Sequence, residues 1–376
     1  MAFSFLSFSR CTFEVTGRCN LYCKHCANAE WNSPERIKSE LRLEEIKRLI
    51  SEMDALGMQD ITISGGEPFV RKDLFEILEL LEDSNIAVRT IITNGTLLNE
   101  VILENLKNYH VNGITLSLDG ISEKSHELLR GRGTLKKTLH ALSLLDEYGF
   151  KIGISTVLLR QSLSELIDMY RFLSNYKNVN EWSINIPVRT GRFIQYYPKF
   201  EPDFEECLTV IKKLIKMHLS ERKINNLFIS EFYDDRLLRV RKIKGLHPGD
   251  SPCLSHLPYS LYIKPDGDVH SCQPLSVFPE YSKLGNVRTS KLQEMIKRAM
   301  STKLPYTVKV RDLKECVSCR YLPICGGGCR ANAIRYLTDP YGRDPTSCEN
   351  VKTFFEHILP ILPQKTKGVF LDALRE

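Results

Sequence analysis

The chain reads as an α/β protein: a parallel barrel or partial barrel of strand–helix units, followed by a small cysteine-rich domain. Two observations predict this. Strand-like and helix-like segments alternate through the first half, and such alternation favours parallel strands with helices packed outside. From Cys253 to Cys348 the composition then turns to Gly, Pro and Cys, as expected of a unit held by metal instead of a large apolar core. A length of 376 residues suits one big domain with a smaller one.

The strand candidates are Cys11–Thr16, Asp60–Ser64, Val88–Thr93, Gly113–Leu118, Lys151–Leu158 and Trp182–Ile186. Each is short, rich in Ile, Val, Thr or Phe, and bounded by polar or Gly residues. Helical patterns lie between them, at Leu43–Leu56, Leu74–Asp83, Asn99–Asn108, Leu135–Tyr148 and Leu163–Asn175. In the first of these, Leu43, Ile46, Leu49, Ile50, Met53 and Leu56 recur at a helical period. Six units in this length suggest a partial (β/α)6 TIM-like barrel with its chemistry at the C-terminal strand ends. A doubly wound open sheet gives the same string of elements. The expected boundaries are a barrel over 1–190, a bridging region over 191–250, a cysteine-rich domain over 251–350 and a tail over 351–376.

Hydrophobic content of 42% and charged content of 26% are those of an ordinary globular protein. No stretch approaches the length of a membrane span. The short apolar start before Arg10 lacks a basic opening and a small-residue cleavage site, so a cytoplasmic protein with no membrane association is expected. A net charge of +6 is a mild excess, compatible with an acidic redox partner or an anionic substrate. No long Lys/Arg run with interleaved aromatics is present, so nucleic acid is not an expected partner. Twelve cysteines is the unusual number. Clustered as they are, they point to metal instead of disulfides. Cys11 and Cys207 fall outside the clusters and are expected to be buried thiols.

Cys19, Cys23 and Cys26 read C-x3-C-x2-C, directly after the first strand candidate. Iron–sulfur clusters are usually held by four thiolates. Three leave one iron open to an outside molecule, and an open position distinguishes catalytic metal sites from structural ones. A zinc site with a distant fourth ligand such as His25 is the alternative. The motif resembles the C-x3-C-x-aromatic-C signature of the radical SAM superfamily, with His25 in the aromatic place. The resemblance implies a [4Fe–4S] cluster on these three cysteines, whose open iron chelates S-adenosylmethionine. Ser64-Gly65-Gly66-Glu67-Pro68, after the second strand, is similar to the family's Gly-Gly-Glu-Pro. There the backbone and the glutamate engage the methionine ammonium. By the same resemblance Asn94 lies near the ligand, and Ser117 and Asp119 bond its polar parts. Arg130 is a candidate partner for the methionine carboxylate, since Arg pairs bidentately with carboxylates.

Cys316-x2-Cys319-x5-Cys325-x3-Cys329 is followed by Cys348 and preceded by Cys253, Gly267 and Cys272. Seven cysteines in this order resemble the SPASM domain, a C-terminal extension of certain radical SAM enzymes. The resemblance implies two auxiliary [4Fe–4S] clusters. One uses Cys253, Cys272 and Cys329, with a fourth ligand left open. The other uses Cys316, Cys319, Cys325 and Cys348. Together the two resemblances cover about residues 11–190 and 250–350.

The implied activity is reductive cleavage of S-adenosylmethionine to a 5′-deoxyadenosyl radical, which abstracts hydrogen from a substrate carbon. Reduced ferredoxin or flavodoxin is the implied electron donor. Modification of a peptide or protein side chain, by a maturase, is the leading expectation. Oxidation of a small cofactor or a tetrapyrrole precursor is the alternative among enzymes. A non-catalytic iron–sulfur carrier or zinc scaffold is the alternative outside them. Only 18 residues precede Cys19, so no fused leader-peptide-binding domain is expected. Gln273 follows Cys272 where sulfatase-maturing relatives carry Asp, which counts against formylglycine formation. No residue is singled out as the general acid or base.

Overall fold

The computed structural model describes residues 9–27, 33–187, 189–243, 250–252 and 260–375. Cys253, expected as an auxiliary-cluster ligand, lies outside them. The chain divides into two compact units. One comprises Thr12–Ser230 with Lys264–Gly267, and the other Met1–Cys11, Glu231–Ile263 and Asp268–Glu376.

The first unit is built on strands β1 (Arg10–Thr16), β2 (Asp60–Gly65), β3 (Ala87–Thr93), β4 (Ile114–Ser117), β5 (Ile152–Val157), β6 (Val179–Asn185) and β7 (Asn226–Ile229). They lie side by side in chain order. Strands β2 through β7 run parallel. Helices α1 (Leu43–Ala55), α2 (Leu74–Glu82), α3 (Glu100–Leu106), α4 (Glu123–Arg130), α5 (Thr134–Glu147), α6 (Leu166–Leu173) and α7 (Phe204–Glu221) connect them. This is the mixed α/β, parallel-sheet architecture of a partial barrel, as the alternation predicts.

Burial explains why these segments take these forms. Ile61, Ile63, Ile91, Ile114, Leu116, Ile152, Ile154, Trp182 and Ile184 are at most 1% exposed along the strands. Each such side chain contributes about 1.5–3 kcal/mol relative to exposure. Helix α1 buries Ile46, Leu49, Ile50 and Met53, the stripe its sequence period predicts. Cys11 and Cys207 are buried thiols, 2% and 5% exposed.

Two elements differ from the sequence expectation. The stretch expected as a bridge forms the helix that its sequence suggests over Phe204–Glu221, α7, but also a strand, β7, that runs parallel to β6 and pairs with it from Glu181↔Asn226 to Ile184↔Ile229. Asn-Leu-Phe-Ile is too short to announce itself by alternation. Helix α4, which carries Arg130, also escapes the pattern: its eight residues hold few apolar positions, and Ser122 caps it by accepting from Ser125 N.

The second unit contains an antiparallel ribbon, β8 (Ser260–Ile263), β9 (Asp268–His270) and β10 (Lys283–Asn286). Four longer helices follow: α8 (Leu292–Thr302), α9 (Arg330–Leu337), α10 (Pro345–Thr353) and α11 (Gln364–Ala373). Its apolar cluster is small: Leu275, Leu304, Val308, Leu313, Cys316, Ala331 and Ile334. Cys272 and Cys329 pack against the same cluster.

Candidate active site

Cys19, Cys23 and Cys26 occupy the loop that leaves β1. Together they border a cavity of about 170 Å³. Gly65, Gly66, Asn94 and Ser117, all at C-terminal ends of β2, β3 and β4, form its wall, and Arg130 and Arg192 complete it. The three thiols act electrostatically on one another. Burial pushes Cys19 up to about 11, although Leu21 N donates to its Sγ at 3.4 Å. Burial also raises Cys23, while the Arg130 and Arg192 guanidinium groups pull it back down.

The glycine pair has a steric cause. A Cβ on Gly66 would stand 2.2 Å from Arg18 O, and one on Gly65, where φ is +143°, 2.3 Å from Thr16 O. Only glycine lets the end of β2 come this close to the cysteine loop. Two hydrogen bonds use the contact: Gly66 N donates to Thr16 O and Glu67 N to Arg18 O, both at 2.8 Å.

Glu67 is wholly buried and does not border the cavity. Its carboxylate accepts from Thr93 Oγ1 at 2.7 Å, Asn94 N at 2.8 Å and Phe69 N at 3.3 Å. It thus ties the end of β2 to the end of β3. Burial raises it to about 7, against the pull of those donors. Asn94 does border the cavity, but its side chain is engaged on both sides. Its Nδ2 donates to Asn20 Oδ1 at 2.9 Å, and its Oδ1 accepts from Thr96 N at 2.9 Å.

Asp119 is likewise fully buried and lies outside the cavity lining. Its Oδ1 accepts from Val157 N at 2.8 Å, and its Oδ2 accepts from Arg130 Nε at 2.6 Å. His25 Nε2 lies 3.4 Å from the same Oδ2. Burial opposes its ionisation, but Arg130 and the two nearby imidazoles outweigh that and hold it at about 2. Burial holds both His25 and His126 down at about 4, so both are neutral near pH 7. Asp119 is therefore the hub that orients Arg130 and His25 toward the cavity.

Arg192 is a feature the sequence reading missed. It follows β6 in the stretch taken as a bridge, and a Gly-Arg pair in a loop carries no general signal. It donates from Nη1 to Cys23 O at 2.8 Å and from its backbone N to Cys26 O at 3.1 Å.

The residues present fit an iron–sulfur cluster. Three thiols line one cavity, and the backbone cradle beside them admits no Cβ. The buried Nδ1 of His25 has no hydrogen-bond partner among the described residues. Among the described residues no three His, Cys, Asp or Glu side chains gather as ligands for one ion. Thiolates of a cluster need no such convergence, because each binds a different iron.

In the second unit, the thiols of Cys316, Cys319, Cys325 and Cys348 act on one another electrostatically. Burial raises Cys325 to about 12. Cys329 donates from its backbone N to Asp344 Oδ2 at 2.9 Å. Arg330, 1% exposed, donates to Gly342 O at 2.7 Å, Pro340 O at 3.0 Å and Gly327 O. It pins the glycine-rich turn between Cys325 and Cys329.

Comparison with known proteins agrees with this geometry. Residues 13–173 match the model of the radical SAM superfamily, and residues 253–325 that of the SPASM iron–sulfur cluster-binding domain. The AdoMet-dependent heme synthase of Methanosarcina barkeri is 28% identical over 348 residues, spanning 89% of this chain and 94% of that protein. The mycofactocin maturase MftC of Mycolicibacterium smegmatis is 26% identical, spanning 90% of this chain and 82% of that one. Among solved structures, anSMEcpe with bound AdoMet and a peptide superposes with a TM-score of 0.70 at 20% identity, covering 96% of this chain and 99% of that chain. SuiB of Streptococcus suis gives 0.68 at 20% identity, covering 91% and 77%. No helix among the described residues is long and apolar enough to cross a membrane. The chain belongs to the radical SAM superfamily and is a radical SAM enzyme with a C-terminal SPASM iron–sulfur domain.

Proposed function

We propose that the protein reductively cleaves S-adenosylmethionine at a cluster held by Cys19, Cys23 and Cys26, and oxidises a substrate at carbon. The observation that carries this is the cavity shared by the three thiols, the Gly65-Gly66 cradle and Arg130. Bound there, a [4Fe–4S] cluster supplies the electron that releases a 5′-deoxyadenosyl radical, which takes hydrogen from a substrate carbon. Gly65 and Gly66 border the cavity in which the methionine end would lie. Arg130, held by Asp119, would pair with its carboxylate, and Ser117 and His25 would offer polar groups to the rest. In the second unit, Cys316, Cys319, Cys325 and Cys348 hold one auxiliary cluster, and Cys253, Cys272 and Cys329 hold another. A reduced ferredoxin or flavodoxin is the proposed donor.

For the substrate, the tetrapyrrole reading moves ahead of the peptide reading. Relatives named heme synthase and Fe-coproporphyrin III synthase span 94% and 86% of their own lengths, at 28% and 25% identity. The MftC relatives keep a peptide side chain as the second reading.

The test is anaerobic reconstitution followed by dithionite. About twelve irons and formation of 5′-deoxyadenosine are expected. Cys23→Ala should keep the auxiliary iron and lose that product. A fully loaded protein that forms none refutes the enzyme reading. Turnover of an iron tetrapyrrole, set against peptides encoded beside the gene, separates the two substrates.

A further inference from the structure

The loop after β6 lies outside every motif of the family resemblance, yet it grips the cysteine loop at four points. Gly191 has φ +56°, and a Cβ there would stand 2.4 Å from Ala27 O and 2.6 Å from Cys26 O. Backbone is therefore pressed directly on backbone, in a conformation that favours glycine. Arg192 N donates to Cys26 O at 3.1 Å. Arg192 Nη1 donates to Cys23 O at 2.8 Å. The guanidinium lies 3.2 Å from the centre of the Tyr22 ring. That ring is 72% exposed and shields the arginine, which is only 8% exposed. The contacts thus span Tyr22 to Ala27 and bracket the second and third thiols. A planar guanidinium can stack and donate at once, which an ammonium cannot do as well.

We propose that Arg192 is a positioning residue for the first cluster. It locks the Cys23–Cys26 segment in a ligand-ready shape and keeps a permanent positive charge beside Cys23. This rests on the proposed cluster at Cys19, Cys23 and Cys26. Two consequences follow, and they are separable. Loss of the clamp loosens the loop and speeds iron release. Loss of the charge disfavours the reduced cluster, which carries one more negative charge, and so lowers its reduction potential.

The test uses the anaerobically reconstituted full chain and three variants: R192K, R192Q and Y22L. Two readouts are taken besides product formation. One is the rate of iron release to a chelator. The other is an EPR-monitored redox titration of the signal that S-adenosylmethionine perturbs, which reports the first cluster alone. R192Q should release triad iron about tenfold faster, the equivalent of losing one charge-assisted hydrogen bond. Its first-cluster potential should become more negative while the auxiliary potentials stay put. R192K should show the faster release with a potential near that of the wild type. Y22L, altered at an exposed ring, folds safely and should speed release without the charge effect. A loaded R192Q protein matching wild type in release rate and potential overturns the proposal. So does a shift of all clusters together, which marks general unfolding. Wild-type protein with no iron at the triad overturns the functional reading, and this proposal with it.

Discussion

Replacing Asp119 with Asn tests the hub of the site, because the change keeps shape and removes charge. The carboxylate is fully buried and accepts from Val157 N and Arg130 Nε on different oxygens. An amide offers one acceptor, so one of these donors then faces an NH2 group. The carboxyl sits at about 2 against an ordinary 3.8. That gap corresponds to about 2.5 kcal/mol favouring the charged form in the folded state. Breaking a buried ion pair from one side, and so stranding Arg130, costs about 3–5 kcal/mol. A loss of about 3 kcal/mol is therefore expected. The pH sign follows from the depressed value: this stability is present above 3.8 and disappears only as pH falls through about 2. Urea unfolding should thus show the same gap between wild type and D119N at pH 6 and pH 8. The freed Arg130 should also weaken S-adenosylmethionine binding. A gap below about 1 kcal/mol, with unchanged binding, would refute the argument, since an exposed pair has about that value.

Three further outcomes are expected. Gly66→Ala forces the Arg18 carbonyl away from a Cβ at 2.2 Å, with an overpacking cost of about 1–3 kcal/mol; iron analysis should find the first cluster depleted and the auxiliary iron retained. Unfolded His126 takes a proton near 6.5 but the folded residue only near 4, so this group destabilises the fold as pH falls between those values, by up to about 3 kcal/mol. Glu67, raised to about 7, acts in the opposite sense over an overlapping range, so the measurement is the gap between His126→Gln and wild type in urea unfolding, which should shift in favour of the variant from pH 7 to pH 5. Arg330→Met strands two buried carbonyls and one partly buried one, at about 1–3 kcal/mol for each buried group, so calorimetry should show a destabilised C-terminal unit and iron analysis should find less auxiliary iron.

Much of the candidate site was legible from local sequence because its residues come in runs. Cys19, Cys23 and Cys26 share one loop, and Gly65, Gly66 and Glu67 share one strand end. Short-range spacing encodes such groups directly. Side-chain surroundings are not written in that spacing. The family resemblance assigns Glu67 and Asp119 to the ligand, and in the structure both are 0% exposed with their oxygens accepting hydrogen bonds from the chain itself. A buried carboxylate must be paired where it lies, and which donors surround it is a long-range matter. Thr93 lies 26 residues from Glu67, and Val157 lies 38 residues from Asp119.

By itself the sequence determined the α/β class, the order of the first six strands, the three-thiol loop and the second cysteine set. These depend on periodicity and on ligand spacing, both carried within a few residues. Only the tertiary structure decided that β7 joins the parallel sheet, that Asp119 aims Arg130 and His25, and that Arg192 holds the cysteine loop from 169 residues away. Those are contacts between distant segments. Their partners are chosen by which strand ends meet, so they exist only once the sheet has formed.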